Sequence, residues 1–251
     1  MYARRSSLLP LAAALALAAC SDSTGASGDP QLRFNLASSA AAPAAAVGPS
    51  LAVAAAPVTF TDGANTLIVD QVQLVMREIE LERVGDDACA LVADDSCERL
   101  ELGPILLDLP LGAGAVSQFT VAVDTGHYDE VELEIHKASS SDDAAFVAAN
   151  PEFVDRSIRV TGSYNGNAFT FYSDLDVEQE IDLSPPLAVA EGGAADLTLF
   201  VNLDRWFRTE AGDLIDPASA NKGESNEGVV KNNIQNALEA FEDEDHDGVE
   251  D

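Results

Sequence analysis

The sequence is short of positive charge: 13 Lys and Arg stand against 44 Asp and Glu in 251 residues, a formal net charge of -31. Nucleic-acid affinity rests on cationic side chains that neutralise phosphates, so DNA and RNA are excluded as partners. The same repulsion excludes anionic lipid headgroups as a docking surface for the folded part. Aromatics are also scarce, at 6% with one tryptophan, so the core implied by 47% hydrophobic residues is aliphatic. No G-x-S-x-G, H-E-x-x-H or G-x-x-x-x-G-K-[ST] occurs. That removes the motifs of common serine hydrolases, zinc proteases and nucleotide-binding enzymes. Strand and helix patterns do not alternate, which argues against a nucleotide-binding parallel sheet. Metal cations, basic proteins and neutral ligands remain.

The apolar run Leu8 to Ala19 falls short of the roughly 20 residues that a membrane-spanning helix needs. It follows Arg4 and Arg5 and ends Leu17-Ala18-Ala19-Cys20, so residues 1–19 read as a secretory signal. The L-A-A-C ending resembles the lipobox of bacterial lipoproteins. That resemblance implies cleavage before Cys20, acylation of Cys20, and membrane attachment through its acyl chains, at about 0.8 kcal/mol per buried CH₂. Ser21 in place of Asp then points to the outer membrane, at its periplasmic face or the cell surface. Residues 20–56 form an Ala-, Ser- and Pro-rich tether with too little to bury. Its exception is Gln31 to Leu36, a strand whose partner lies further on. Export also permits a disulfide between Cys89 and Cys97, a short loop worth about 2.5 kcal/mol. The alternative, a redox or metal pair, lacks C-x-x-C spacing and a nearby His.

Residues 57–224 read as a body of alternating strands. In Tyr128 to His136, Val131, Leu133 and Ile135 share one face and Glu130, Glu132 and Glu134 the other. Leu175 to Leu183 alternates in the same way, each being a half-buried antiparallel strand. Asn165-Gly166 between Arg156–Tyr164 and Asn167–Ser173 predicts a type I′ hairpin. Val72 to Val84 reads as a strand whose apolar face switches near Arg77-Glu78, the signature of a bulge; helical spacing is its alternative. The fold class is mainly β: an antiparallel β-sandwich, immunoglobulin- or transthyretin-like, with one C-terminal helix. Residues 225–251 supply that helix, from Val229 to Phe241 with Ser225 or Asn226 as cap, and an acidic tail.

The tail carries the sharpest chemistry. Asp243, Asp245, Asp247, Gly248 and Asp251 fit D-x-D-x-D-G-x-x-D, which resembles the start of an EF-hand or thrombospondin-type calcium loop. Alternating carboxylates can converge on one hard cation, and Gly248 permits the sharp turn. The resemblance makes Asp243, Asp245, Asp247 and Asp251 side-chain ligands of Ca2+ and Val249 a carbonyl ligand. The sequence has no Glu at loop position twelve, which sets the expected affinity near the 10⁻⁴–10⁻³ M of extracellular modules, as an order of magnitude. Three acidic rows, Glu78/Glu80/Glu82, Glu130/Glu132/Glu134 and Asp176/Glu178/Glu180/Asp182, read as separate solvent-facing strand faces. If adjacent, they would need cations or a basic partner, since like charges across strands destabilise a sheet. Trp206 reads as a core plug rather than a sugar platform. His127 and His136, at opposite ends of one strand, read as surface histidines.

Thr61-Asp62-Gly63 before a long strand and Gly126-His127-Tyr128 opening another resemble uncharacterised bacterial lipoproteins of the domain-of-unknown-function type, over about residues 57–205. That likeness implies a sandwich and no activity. The expectation is a non-catalytic, lipid-anchored envelope module, binding or structural, with a protein or glycan as possible ligand and Ca2+ in its tail. A surface hydrolase using two carboxylates on glycans is the alternative.

Overall fold

A computed structural model of the protein describes residues 29–39, 57–84, 99–111, 114–141 and 143–250. Cys20, Cys89, Cys97 and Asp251, with the signal and most of the tether, lie outside the described residues. Among those described, the chain forms two sheets packed around one aliphatic core, a β-sandwich.

The smaller sheet is assembled from distant parts of the chain. Its order is β11 (Leu238–Glu242), β10 (Ala194–Val201), β1 (Gln31–Ser38), β5 (Val116–Ala122). β1 runs parallel to β10 and antiparallel to β5, so the strand expected at residues 31–36 does find its partners far along the chain. Its alternation explains the placement. Leu32, Phe34 and Leu36 are wholly buried in the core, while Arg33 and Asn35 reach Asp196 on β10.

The larger sheet is organised by β3 (Thr66–Arg83), 18 residues long. One edge of β3 pairs with β2 (Val58–Thr61) and then β4 (Arg99–Asp108). The other pairs with β7 (Ile158–Tyr164) and then β6 (Gly126–Ile135). β8 (Asn167–Ser173) and β9 (Val177–Val189) close the two ends. The expected bulge is present: pairing shifts between Met76 and Glu78 on both sides of β3. It turns Arg77 toward the buried Asp143, 2.6 Å away, beside helix α1 (Ala144–Ala149). Beyond it, Ile79 and Leu81 face the core and Glu78, Glu80 and Glu82 face outward.

The hairpin β7–β8 turns on Asn165 at φ 50° and Gly166 at φ 81°, the two positive angles that a type I′ turn requires. Gly166→Ala places a Cβ in left-handed backbone and is expected to cost about 1–2 kcal/mol, read from the urea midpoint.

Trp206 ends the short helix α2 (Leu203–Trp206) and is wholly buried, a core plug. The C-terminal helix is shorter than its spacing suggested: α3 covers Glu227–Gln235, and Leu238–Glu242 leaves it to become β11. Leu238 and Ala240 are buried while Glu239 is exposed, a period of two that pairing with β10 selects over the helical period. Asn226 occupies the N-cap position without capping; its amide donates to Ser219 Oγ at 2.9 Å.

Candidate functional site

The three acidic rows are adjacent, contrary to the separate faces read from sequence. Register places Glu78 beside Glu134 beside Glu178, Glu80 beside Glu132 beside Glu180, and Glu82 beside Glu130 beside Asp182. The outer face of β3, β6 and β9 is therefore a three-by-three array of carboxyl groups. Directly opposed side chains stand about 5 Å apart at Cβ, so full ionisation would carry a large repulsion.

The array relieves this by keeping protons. Glu132 sits at its centre, and its carboxyl is pushed up to about 7. Burial is the largest cause, followed by the hydrogen bond and charge of Glu178, then Glu80 and Glu180. Glu132 thus keeps its proton, hydrogen-bonded to Glu178, over a pH range where a solvated glutamate would have lost it. Glu130 is also raised, by burial and then by Glu82, Glu180 and Asp182. A small cleft opens among Glu78, Glu80, Glu132, Glu134 and Glu178.

At one end of the array a base replaces the acids. His136 Nδ1 lies 2.6 Å from Asp176 Oδ1 and 3.1 Å from Glu134 Oε1. Lys137 holds the other Asp176 oxygen at 2.9 Å. Strand periodicity alone places His136 at a strand end, as a surface histidine. The positions 134 and 136 share a strand face, and 176 heads the third acidic row, but only the β6–β9 register joins them.

The second acidic group is the tail, and here three of the expected residues come together. One oxygen each from Asp243, Asp245 and Asp247 lies within 4.8 Å of the others. Asp243 follows β11 directly and is wholly buried. Its carboxylate accepts from Asp247 N–H at 3.1 Å, Gly248 N–H at 3.0 Å and the Thr198 hydroxyl at 3.3 Å. Asp245 accepts from Asp247 N–H, and Asp247 from Val249 N–H at 2.8 Å. His246 and Gly248 adopt positive φ, 59° and 84°, which coils the backbone so that alternate side chains turn inward. Burial pushes the Asp243 carboxyl up, against the pull of its bonds to Gly248, Thr198 and Asp247.

The loop is fastened to the smaller sheet by His246, whose Nε2 lies 3.0 Å from Asp196 Oδ1. Asp196 is in turn held by Arg33 at 2.9 Å. A groove of about 550 Å³ adjoins the loop, and its lining includes Phe200, Phe241, Asp247, Gly248 and Val249.

The donor set fits a hard divalent cation: carboxylate oxygens from alternate positions, with backbone amides fixing their orientation. Val249 belongs to the loop, where its N–H bonds to Asp247; the expected fifth residue, Asp251, lies outside the described residues. Among the described residues, no helix is long and apolar enough to cross a membrane. Comparison with family models, curated proteins and solved structures found no match.

Proposed function

We propose that the protein is a non-catalytic binding module of the bacterial envelope, tethered through acylated Cys20, whose C-terminal loop holds Ca2+. The observation that carries the reading is the convergence of Asp243, Asp245 and Asp247 within 4.8 Å, on a loop whose N–H groups already orient all three carboxylates. Ca2+ there would draw Asp247 and Gly248 into a fixed wall of the adjoining groove, where a protein or glycan partner would sit. Tethering is supported by the L-A-A-C ending of the N-terminal apolar run and, more weakly, by a charge that disfavours direct docking on anionic headgroups.

Isothermal titration of the full chain tests the cation. Binding is expected at millimolar Ca2+, with Asp245→Asn weakening it about tenfold and Glu82→Gln, on the other sheet, leaving it unchanged. Equal weakening by both variants would show diffuse attraction to the acidic surface and remove the site.

One observation favours a hydrolase instead: Glu132 keeps its proton near neutrality, as a general acid must. The cleft beside it is lined by five glutamates, with no aromatic or apolar floor for a sugar, so binding is the stronger reading. Release of reducing ends from a glycan panel, lost in Glu132→Gln, would reverse that choice.

A further inference from the structure

We propose that Glu134, His136 and Asp176 form a second metal site, for a borderline divalent ion of the zinc class, at the end of the acidic array. It is independent of the calcium loop and lies on the other sheet.

Strand geometry assembles the donors. Glu134 and His136 are two residues apart and so share the outer face of the β6 strand and its extension. Register pairs Ile135 with Val177, which sets Asp176, the residue before β9, across from His136. The three donor atoms lie within 4.8 Å of one another, with the imidazole nitrogen 2.6 Å and 3.1 Å from the two oxygens. Ligands about 2.1 Å from a zinc ion at tetrahedral angles stand about 3.4 Å apart, so only small adjustments are needed.

The imidazole points to a ligand as well. His136 Nδ1 is inaccessible to solvent, and neither contact has the alignment of a hydrogen bond. An ion among the three donor atoms would give that nitrogen a partner and meet both oxygens. Asp176 offers the correct atom, because Lys137 occupies Oδ2 and leaves Oδ1 turned to the ring.

Donor chemistry selects the ion. One imidazole and two carboxylates, with no thiolate, suit Zn2+, Co2+ and Ni2+ better than Ca2+ or Mg2+, which favour all-oxygen shells. Water would complete the shell on the exposed side of Asp176. The neighbouring Glu78 and Glu178 raise the local cation concentration without adding specificity. The bound ion would staple the end of the β6–β9 pair.

The test is calorimetric titration of the full chain with Zn2+, repeated with Co2+ to read the ligand set from its absorption. Cys20→Ser, Cys89→Ser and Cys97→Ser are present in every sample, so thiolates cannot contribute. One ion per chain is expected, retained in excess Ca2+. His136→Gln and Asp176→Asn should each weaken it by more than the roughly 10–100-fold that residues merely supporting ligands are worth. Lys137→Gln should tighten it by removing a competing charge, and Asp245→Asn should leave it unchanged. No Zn2+ heat from the parent chain, or equal affinity in His136→Gln, overturns the site.

Discussion

Replacing Glu132 by Gln is expected to stabilise the protein at pH 7.5 by about 2 kcal/mol, raising its thermal midpoint by about 4–8 °C for a chain of this size. The cause is the carboxyl array. In the fold the Glu132 carboxyl is raised from 4.5 to about 7; in the unfolded chain it has its ordinary value. Below pH 4.5 both states hold the proton and stability is undiminished. Between pH 4.5 and 7 the unfolded chain releases it while the fold retains it, so stability falls as pH rises. Glu130, raised for the same reasons, adds to the slope. At the acid end the sign reverses. Asp174, held by Lys222 and Lys231, is lowered to about 2, and Asp62 is lowered by bonds from Asn65, Leu214 and Ala64. Their contribution is present above their ordinary values near 3.8 and is lost as pH falls. Wild-type stability should therefore peak between about pH 4 and 5, and Glu132→Gln should flatten only the neutral limb. Chemical denaturation across pH 3–8 checks both arms. A wild-type optimum at pH 7 or above would mean that the array does not hold its protons.

The same array shows what was legible in the chain and what was not. Alternation in Tyr128–Ile135 fixes which residues face outward, because side-chain direction in a strand has period two. The bulge near Arg77-Glu78 and the Asn165-Gly166 turn are equally local, and both stand where their residues indicate. Adjacency of the three acidic rows is not local. It depends on β3 passing from β7 to β6 at its bulge, and on β9 returning beside β6. No residue type announces either pairing. His136 was missed for that reason: of its two partners, the position of Glu134 is readable from β6 and that of Asp176 only from register. The helix error has another origin. Ala237, Leu238 and Phe241 satisfy helical spacing, while Leu238 and Ala240 also satisfy alternation, and five residues cannot separate the two. Pairing of β11 with β10 separates them, by placing Asp243 beside Asp196 and Thr198.

That placement makes Asp243 the residue whose loss should matter most to the tail. Its two oxygens bind two backbone amides and the Thr198 hydroxyl, in a site with no exposure. Truncation in Asp243→Ala leaves two donors unpaired where β11 meets the loop, Gly248 N–H and the Thr198 hydroxyl, since Asp247 N–H keeps its bond to Asp245. A buried donor without a partner costs about 1–3 kcal/mol, but the loop is otherwise exposed and the Gly248 amide can turn to water. A loss of about 2–3 kcal/mol in denaturant stability is therefore expected, at the low end of the sum. The effect on Ca2+ should be larger. Asp245→Asn removes one charge from an intact coil, whereas Asp243→Ala removes both a ligand and the anchor that turns the other two inward. Titration should show no Ca2+ heat at concentrations that saturate the parent chain, while Zn2+ binding at His136 persists. Asp243→Asn separates the two roles: its amide oxygen can keep one backbone bond, so stability should recover in part while Ca2+ affinity stays low. Full Ca2+ binding in Asp243→Ala would mean that the carboxylates of the tail act singly, and the loop would then be a solvated acidic end.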